Sequence, residues 1–392
     1  MRTLARACID EYRAILSDRG VLFIFLAGLI IYTAYYPLPY SPEVVKELPV
    51  VPVDQDASTL SRKLLQWVDA TEEVRLAAST RNVAEARRRV VNGEAAGFFV
   101  IPEGFERSVL RGEQATVALY ADACYFLIYR QVHTGCYKAA ATLSAGIEIK
   151  RFTAAGFGER HARAARDPLP LDSRPLFNPA SGYATYVVPG VLMLILQQTL
   201  LIGIGMLGGT RNEAFRNAPV PPQGGKDSYV PLLLGRGFAY FSIYILYPLF
   251  YLFFIFPLYD LPRAGHTTAV MVFLVPYVLS IVYLGFALST LFQYREHSIP
   301  ALIYTSVPAV FLAGFAWPME AVPTWLRHAA LLLPSTSGVA GFLRLNQMGA
   351  TLHEVRFEWF VLWALCGFYF LLSWVCVQRT QPFPERPHPD LP

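Results

Sequence analysis

Charge is scarce in this chain and unevenly placed. Asp, Glu, Lys and Arg together make up 16% of its 392 residues, against about 25% in soluble domains. Six stretches carry none of the four: 20–42, 175–210, 237–259, 264–294, 298–319 and 359–378. That pattern excludes an ordinary soluble enzyme. It also argues against a proton- or sodium-driven carrier, which holds ionisable groups inside the bilayer for its task. The phosphate-binding pattern GxxxxGK[ST] is missing, since Gly224-Gly225-Lys226-Asp227 lacks both the loop and the hydroxyl after the lysine. There is no HExxH and no GxSxG, and the 7 histidines include no pair at metal-ligand spacing. No catalytic residue, metal site or bound cofactor is expected. The net charge of +4 is dispersed and leaves no nucleic-acid footprint. Cysteines number 5. Cys124 and Cys136 fall on one expected helix, about 18 Å apart at 1.5 Å per residue, beyond disulfide reach.

What remains is strongly apolar. Each of the six stretches reaches the roughly 20 residues that a spanning helix needs. They divide one plus five around a long polar block. The first has no small-x-small cleavage site after it, so it is expected to stay as a signal anchor. Arg2, Arg6, Arg13 and Arg19 precede it, whereas no basic residue follows until Lys46. The positive-inside rule therefore puts both termini in the cytoplasm and the polar block outside. Arg211, Arg216, Lys226, Arg236, Arg379 and Arg386 fall on the inner side in this topology; Arg327, Arg344 and Arg356 do not. Residues 1–19 are read as an amphipathic helix on the inner surface, with Leu4, Cys8, Tyr12 and Ile15 on its apolar side.

The polar block alternates strand and helix patterns in the order βαβαβαβ, a small α/β domain. Its first strand, 48–54, is expected at a sheet edge because Pro49 and Pro52 cannot donate ladder bonds. Asp54 and Asp56 resemble a paired-carboxylate site, yet a strand end with helix-capping residues explains them more economically. A long helix follows with a seam of Tyr129, Val132, Cys136, Ala140, Leu143 and Ile147. That seam can dock on the sheet, pair with a second protomer or return the chain to the membrane.

The expected fold is an α-helical integral membrane protein. It has six transmembrane helices, one plus five, an inserted extracytoplasmic α/β domain and an outer re-entrant segment. Its divisions are 1–19 (elbow helix), 20–40 (first span), 41–180 (external domain), 181–378 (five-helix domain) and 379–392 (inner tail). Within the five-helix domain, 210–235 is an inner loop. Residues 317–350, broken by Pro334, are too interrupted to cross and read as re-entrant.

Several stretches in order resemble one family. They are Tyr35-Tyr36-Pro37-Leu38-Pro39-Tyr40, Val53-Asp54-Gln55-Asp56-Ala57-Ser58 and Gly97-Phe98-Phe99-Val100-Ile101-Pro102. Tyr120-Ala121-Asp122, Phe177-Asn178-Pro179, Val188-Pro189-Gly190 and 314–325 with Trp317-Pro318 and Val322-Pro323 follow. Together they are similar to the permease subunits of type-2 ABC exporters with a large periplasmic insert after the first span. The resemblance implies a non-catalytic half-transporter in a bacterial inner membrane, paired with a second permease protomer, identical or sister. It also implies that ATP is bound by a separate cytoplasmic ABC ATPase subunit; separately, the size of the external domain suggests a periplasmic adaptor as a further partner, with self-association that holds the dimer as the alternative. A coupling helix in the first inner loop would contact the ATPase; here that implies Arg211, Glu213, Phe215 and Arg216. The loop departs from the family pattern at Ala218-Pro219-Val220-Pro221-Pro222. Gln197 and Gln198, polar in mid-span, are read as pathway or helix-packing residues. The alternative is a membrane-anchored receptor or scaffold that transports nothing, although five clustered spans exceed what an anchor needs.

Overall fold

A computed structural model describes residues 2–217 and 229–380 and divides the chain into two compact units, 1–43 with 175–392 and 44–174. Residues 218–228 and 381–392, with Lys226, Arg386 and the proline-rich part of the inner loop, lie outside the described residues.

In the first unit, α1 (Arg2–Ser17) leads into α2 (Arg19–Tyr40). After the second unit come α8 (Tyr183–Asn217), α9 (Tyr229–Leu258), α10 (Thr267–Ser289), α11 (Arg295–Leu312), α12 (Thr324–Ala330), α13 (Pro334–Asn346) and α14 (Arg356–Thr380). Five of these, α2, α8, α9, α10 and α14, are long and apolar enough to cross a membrane. The expected span at 298–319 corresponds to α11, whose 18 residues include Arg295 and Glu296 in the first turn and Pro300 and Pro308 inside. It does not meet that standard.

The core is built around α8, whose residues are buried along most of its length, including Leu192, Leu196, Leu200 and Ile204. Aromatic side chains fill the space around it. Tyr277 of α10 is fully buried and donates its hydroxyl proton to the Met193 carbonyl at 2.9 Å. In α2 the stretch Phe23–Gly28 winds as a π-helix, which loosens the regular i→i−4 ladder. Tyr247 of α9 donates to the Phe25 carbonyl in that turn. In lipid a backbone group without a partner costs several kcal/mol, so the tyrosine stabilises the irregular turn. The helices α12 and α13 are 7 and 13 residues long. They pack back on their neighbours: Thr336 donates to the Leu312 carbonyl, and Tyr369 of α14 donates to the Leu332 carbonyl.

The second unit holds β1 (Leu48–Asp54), α3 (Thr59–Asp69), β2 (Val74–Leu76), α4 (Val83–Val91), β3 (Gly97–Ile101), α5 (Phe105–Arg111), β4 (Ala118–Ala121), α6 (Phe126–Ala154) and α7 (Glu159–Arg166). The βαβαβαβ order matches the sequence pattern. The sheet runs β2-β1-β3-β4, parallel except for the β3–β4 pair. Alternate residues face opposite sides: Val50, Phe99 and Ile101 join the core under α3 and α6, while Val51, Val53 and Phe98 face α4.

The edge assignment of β1 is overturned, because β1 lies between β2 and β3. Pro49 is in register with Arg75 of β2 and Pro52 with Phe99 of β3, and each bonds through its carbonyl on its other side, where the adjoining chain lies outside the named strand. The Pro49 carbonyl accepts from Ala96, just before β3, and the Pro52 carbonyl from Thr80, beyond the end of β2. The seam of α6 docks on the sheet, with Val132, Cys136 and Leu143 buried there. Asp54 and Asp56 are structural. Asp54 accepts from the Asp56 and Ala57 amides and from the Ser61 hydroxyl, and Asp56 accepts from the Gly104 and Glu106 amides at the start of α5.

Candidate functional site

Among the described residues of the first unit, buried charge gathers where α1 meets α8 and α9. Three residues spaced four apart form the buried stripe of α1: Ala7, Glu11 and Ile15. Two are apolar, as an amphipathic helix requires. The third is a carboxylate with only 2% of its surface exposed. Gly235 lets α9 approach this stripe, since a Cβ there would stand 2.4 Å from the Leu4 carbonyl oxygen and 2.9 Å from the Ala7 methyl.

Three groups from the two facing helices surround the Glu11 carboxylate. Arg211 near the end of α8 donates from Nη2 to Oε2 at 2.5 Å, and Arg236 near the start of α9 brings Nε within 3.3 Å of the same oxygen. Tyr240, one turn further along α9, donates its hydroxyl proton to Oε1 at 2.6 Å. Burial alone would push the Glu11 carboxyl upward in pKa, but the two guanidiniums and the tyrosine outweigh it and hold it below the ordinary glutamate range. Breaking such a set by removing one partner typically costs about 3–5 kcal/mol.

A second clamp sits at the α1–α2 joint. Asp18 caps α2 by accepting from the Gly20 and Val21 amides, each at 3.0 Å. The same carboxylate takes a two-pronged bond from Arg295 at the start of α11, one arm at 2.6 Å. Arg295 is the first cause of the downward shift of the Asp18 carboxyl, which the two amides reinforce against partial burial. The ends of α8, α9 and α11 are thus all tied to α1 or to its junction with α2.

The four residues inferred as ATPase contacts lie on the last turns of α8, continuous with it. Arg211 belongs to the cluster. Arg216 donates to Gln293 at 3.2 Å and lies over the Tyr294 ring at 4.4 Å. Glu213 and Phe215 are half-buried, and Glu213 forms no ion pair among the described residues. Between Arg211 and Glu213, Asn212 is buried and donates to the Ser289 and Phe292 carbonyls, each at 2.9 Å, where α10 ends. Gln197 and Gln198 lie apart from this site, deep in α8. Gln197 Oε1 and both terminal atoms of Gln198 are buried without a hydrogen-bond partner. No grouping of three or more His, Cys, Asp or Glu suited to a metal occurs among the described residues.

Sequence reasoning missed Glu11, Asp18, Tyr240 and Arg295. For Glu11 a signal existed: an acid placed one turn from Ala7 and one turn from Ile15 sits on the apolar stripe.

The model of the ABC-2 family transporter proteins matches residues 19–375. The chain belongs to that family. It is an ABC-2 transporter membrane subunit and a multi-pass membrane protein. The match runs from the α1–α2 joint through most of α14, so it covers both units of this ABC-2 chain. No curated protein matches it.

Proposed function

We propose that this ABC-2 subunit is the permease of an ATP-driven exporter. It forms the translocation path as a dimer and takes its power stroke from a separate cytoplasmic ATPase. The observation that carries this reading is the Glu11 cluster. Residues 218–228 join α8 to α9, and the helix ends on both sides of that segment, at Arg211 and Arg236, grip one carboxylate on α1. A push delivered to the loop by an ATPase would reach α1 and both spans together, as rigid elements with two packed arrangements. Glu213, Phe215 and Arg216 are the proposed contact residues; they project from α8 beside the cluster.

In this reading α1 and the 218–228 loop are cytoplasmic and the α/β unit is external. The membrane crossing near 298–319 is made by α11, with α12 and α13 forming the outer re-entrant pair. Support for pairing comes from α11. It buries only Ser298, Leu302 and Ala309, while Ile303, Tyr304, Val307 and Phe311 are exposed. That open face is apolar and interrupted by Pro300 and Pro308, and in this reading a second protomer covers part of it.

Reconstitution with a cytoplasmic ABC ATPase that co-purifies with this chain tests the proposal. Stimulated ATP hydrolysis that drops at least tenfold in Glu11→Gln, with the complex still assembled, supports coupling through the cluster. Unchanged hydrolysis in that variant contradicts it.

A further inference from the structure

The α/β unit contains a cavity of about 880 Å³ bounded on one side by α6 between Tyr137 and Arg151. Its volume lies within the 300–1,000 Å³ of small-molecule sites. The two bounding residues are fourteen positions apart, or about 21 Å along the helix at 1.5 Å per residue. The cavity is therefore a slot rather than a bowl.

Polarity is graded along it. At the Tyr137 end α6 contributes Ala140 and Leu143, and the Tyr137 ring stands 65% exposed, held against the His133 ring at 5.8 Å and 8°. Val109 and Ile147 continue the apolar floor towards the far end. There the charged groups gather. Arg166 pairs with Glu148 at 3.7 Å and with Asp167 at 3.2 Å, so two carboxylates share one guanidinium. Arg151 donates to the Val109 carbonyl and forms no ion pair among the described residues; the same holds for the Glu113 carboxylate. The Arg151 end of the slot thus offers a guanidinium without an ion pair among the described residues together with surplus negative charge, and the Tyr137 end offers mainly apolar surface, with Ser144 and Gln114 as further polar lining. A neutral apolar molecule would leave those charges unused, and a singly charged head would meet one of them with the wrong sign.

We infer that this slot binds a single-chain zwitterionic amphiphile of the phosphate–ammonium type. Its alkyl chain lies under Tyr137. Its phosphate pairs with Arg151, in the charge-assisted geometry guanidinium groups favour, and its ammonium faces Glu113 and Glu148. The inference stands on the α/β unit alone, and its test needs neither ATP nor transport.

The test is a fluorescence titration of the full-length chain in amphipol. Three probes share one alkyl chain and fluorophore and are used below their micelle concentration: a lysophosphatidylcholine, a fatty acid and an alkyltrimethylammonium. Saturable binding of the zwitterion at least tenfold tighter than either singly charged probe is expected. Arg151→Gln should weaken the zwitterion about tenfold and Arg151→Lys should restore most of it. Glu113→Gln should weaken the zwitterion and the ammonium probe without weakening the fatty acid. Tyr137→Ala should weaken all three alike. Melting curves of each variant confirm that it is folded. Equal affinity for the three heads, non-saturable partition, or unchanged binding in both Arg151→Gln and Glu113→Gln overturns the assignment.

Discussion

Glu11 on the first helix and Arg211 near the end of α8 lie 200 residues apart in sequence and meet at 2.5 Å in the interior. Around that contact one carboxylate is shared by two guanidiniums, with a tyrosine hydroxyl on its second oxygen. Three helices are fixed to one another through a single side chain.

Removing that charge should be costly. Glu11→Gln keeps the shape but takes away the carboxylate that Arg211 and Arg236 share, and a loss of about 3–5 kcal/mol is expected. Thermal unfolding of the detergent-solubilised protein checks this. Combining Glu11→Gln with Arg211→Gln should cost less than the sum of the two single changes, because the pair is in direct contact. Strict additivity would mean that the contact contributes little.

The acid side of the stability profile follows from the same groups. Glu11 and Asp18 have carboxyl pKa values lowered by folding. The unfolded chain therefore binds more protons than the folded one in the window below the ordinary carboxylate values of about 4. Their contribution is complete above that range and is lost as pH falls through the lower, folded values. Melting temperature should drop on acidification below about pH 4, and the slope should shrink in Glu11→Gln and Asp18→Asn. A variant slope equal to that of the parent would remove these residues as its source.

Much of the fold was legible in the sequence because it depends on long, repeated signals. The apolar lengths of α2, α8, α9, α10 and α14, and the strand–helix alternation of 48–121, survive any single exception. The proline rule, applied to the strand alone, puts β1 at an edge, whereas it lies between β2 and β3. Whether a missing proline amide breaks a ladder bond depends on where β2 and β3 begin and end. The cluster was illegible for a related reason: the value of Glu11 comes from Arg211, Arg236 and Tyr240, which are distant in sequence. Arg211 was singled out, but only through the family resemblance and for a different contact.

The close approach at Gly235 gives a steric test. A larger side chain there would drive into the Leu4 carbonyl and the Ala7 methyl. Gly235→Val should separate α1 from α9 and lower the melting temperature by at least as much as Glu11→Gln. Crosslinking between cysteines placed on α1 and α9 should fall with it. Full retention of crosslinking would contradict the packing.

The carboxylate of Asp56 offers a control in the other unit. It accepts from the Gly104 and Glu106 amides at 2.8 and 3.0 Å where α5 begins. Asp56→Ala should destabilise by about 1 kcal/mol, the usual value of a helix cap, and should leave ATPase coupling unaltered. Loss of coupling with full stability would show that Asp56 has a role beyond capping.

In the proposed function, this membrane subunit draws its energy from another polypeptide. Native mass spectrometry of the complex, gently extracted from its own membranes, measures this most directly. A pair of permease protomers carrying an ABC ATPase is the predicted species. A lone protomer without an ATPase, still able to move cargo uphill in vesicles under an ion gradient, would contradict it.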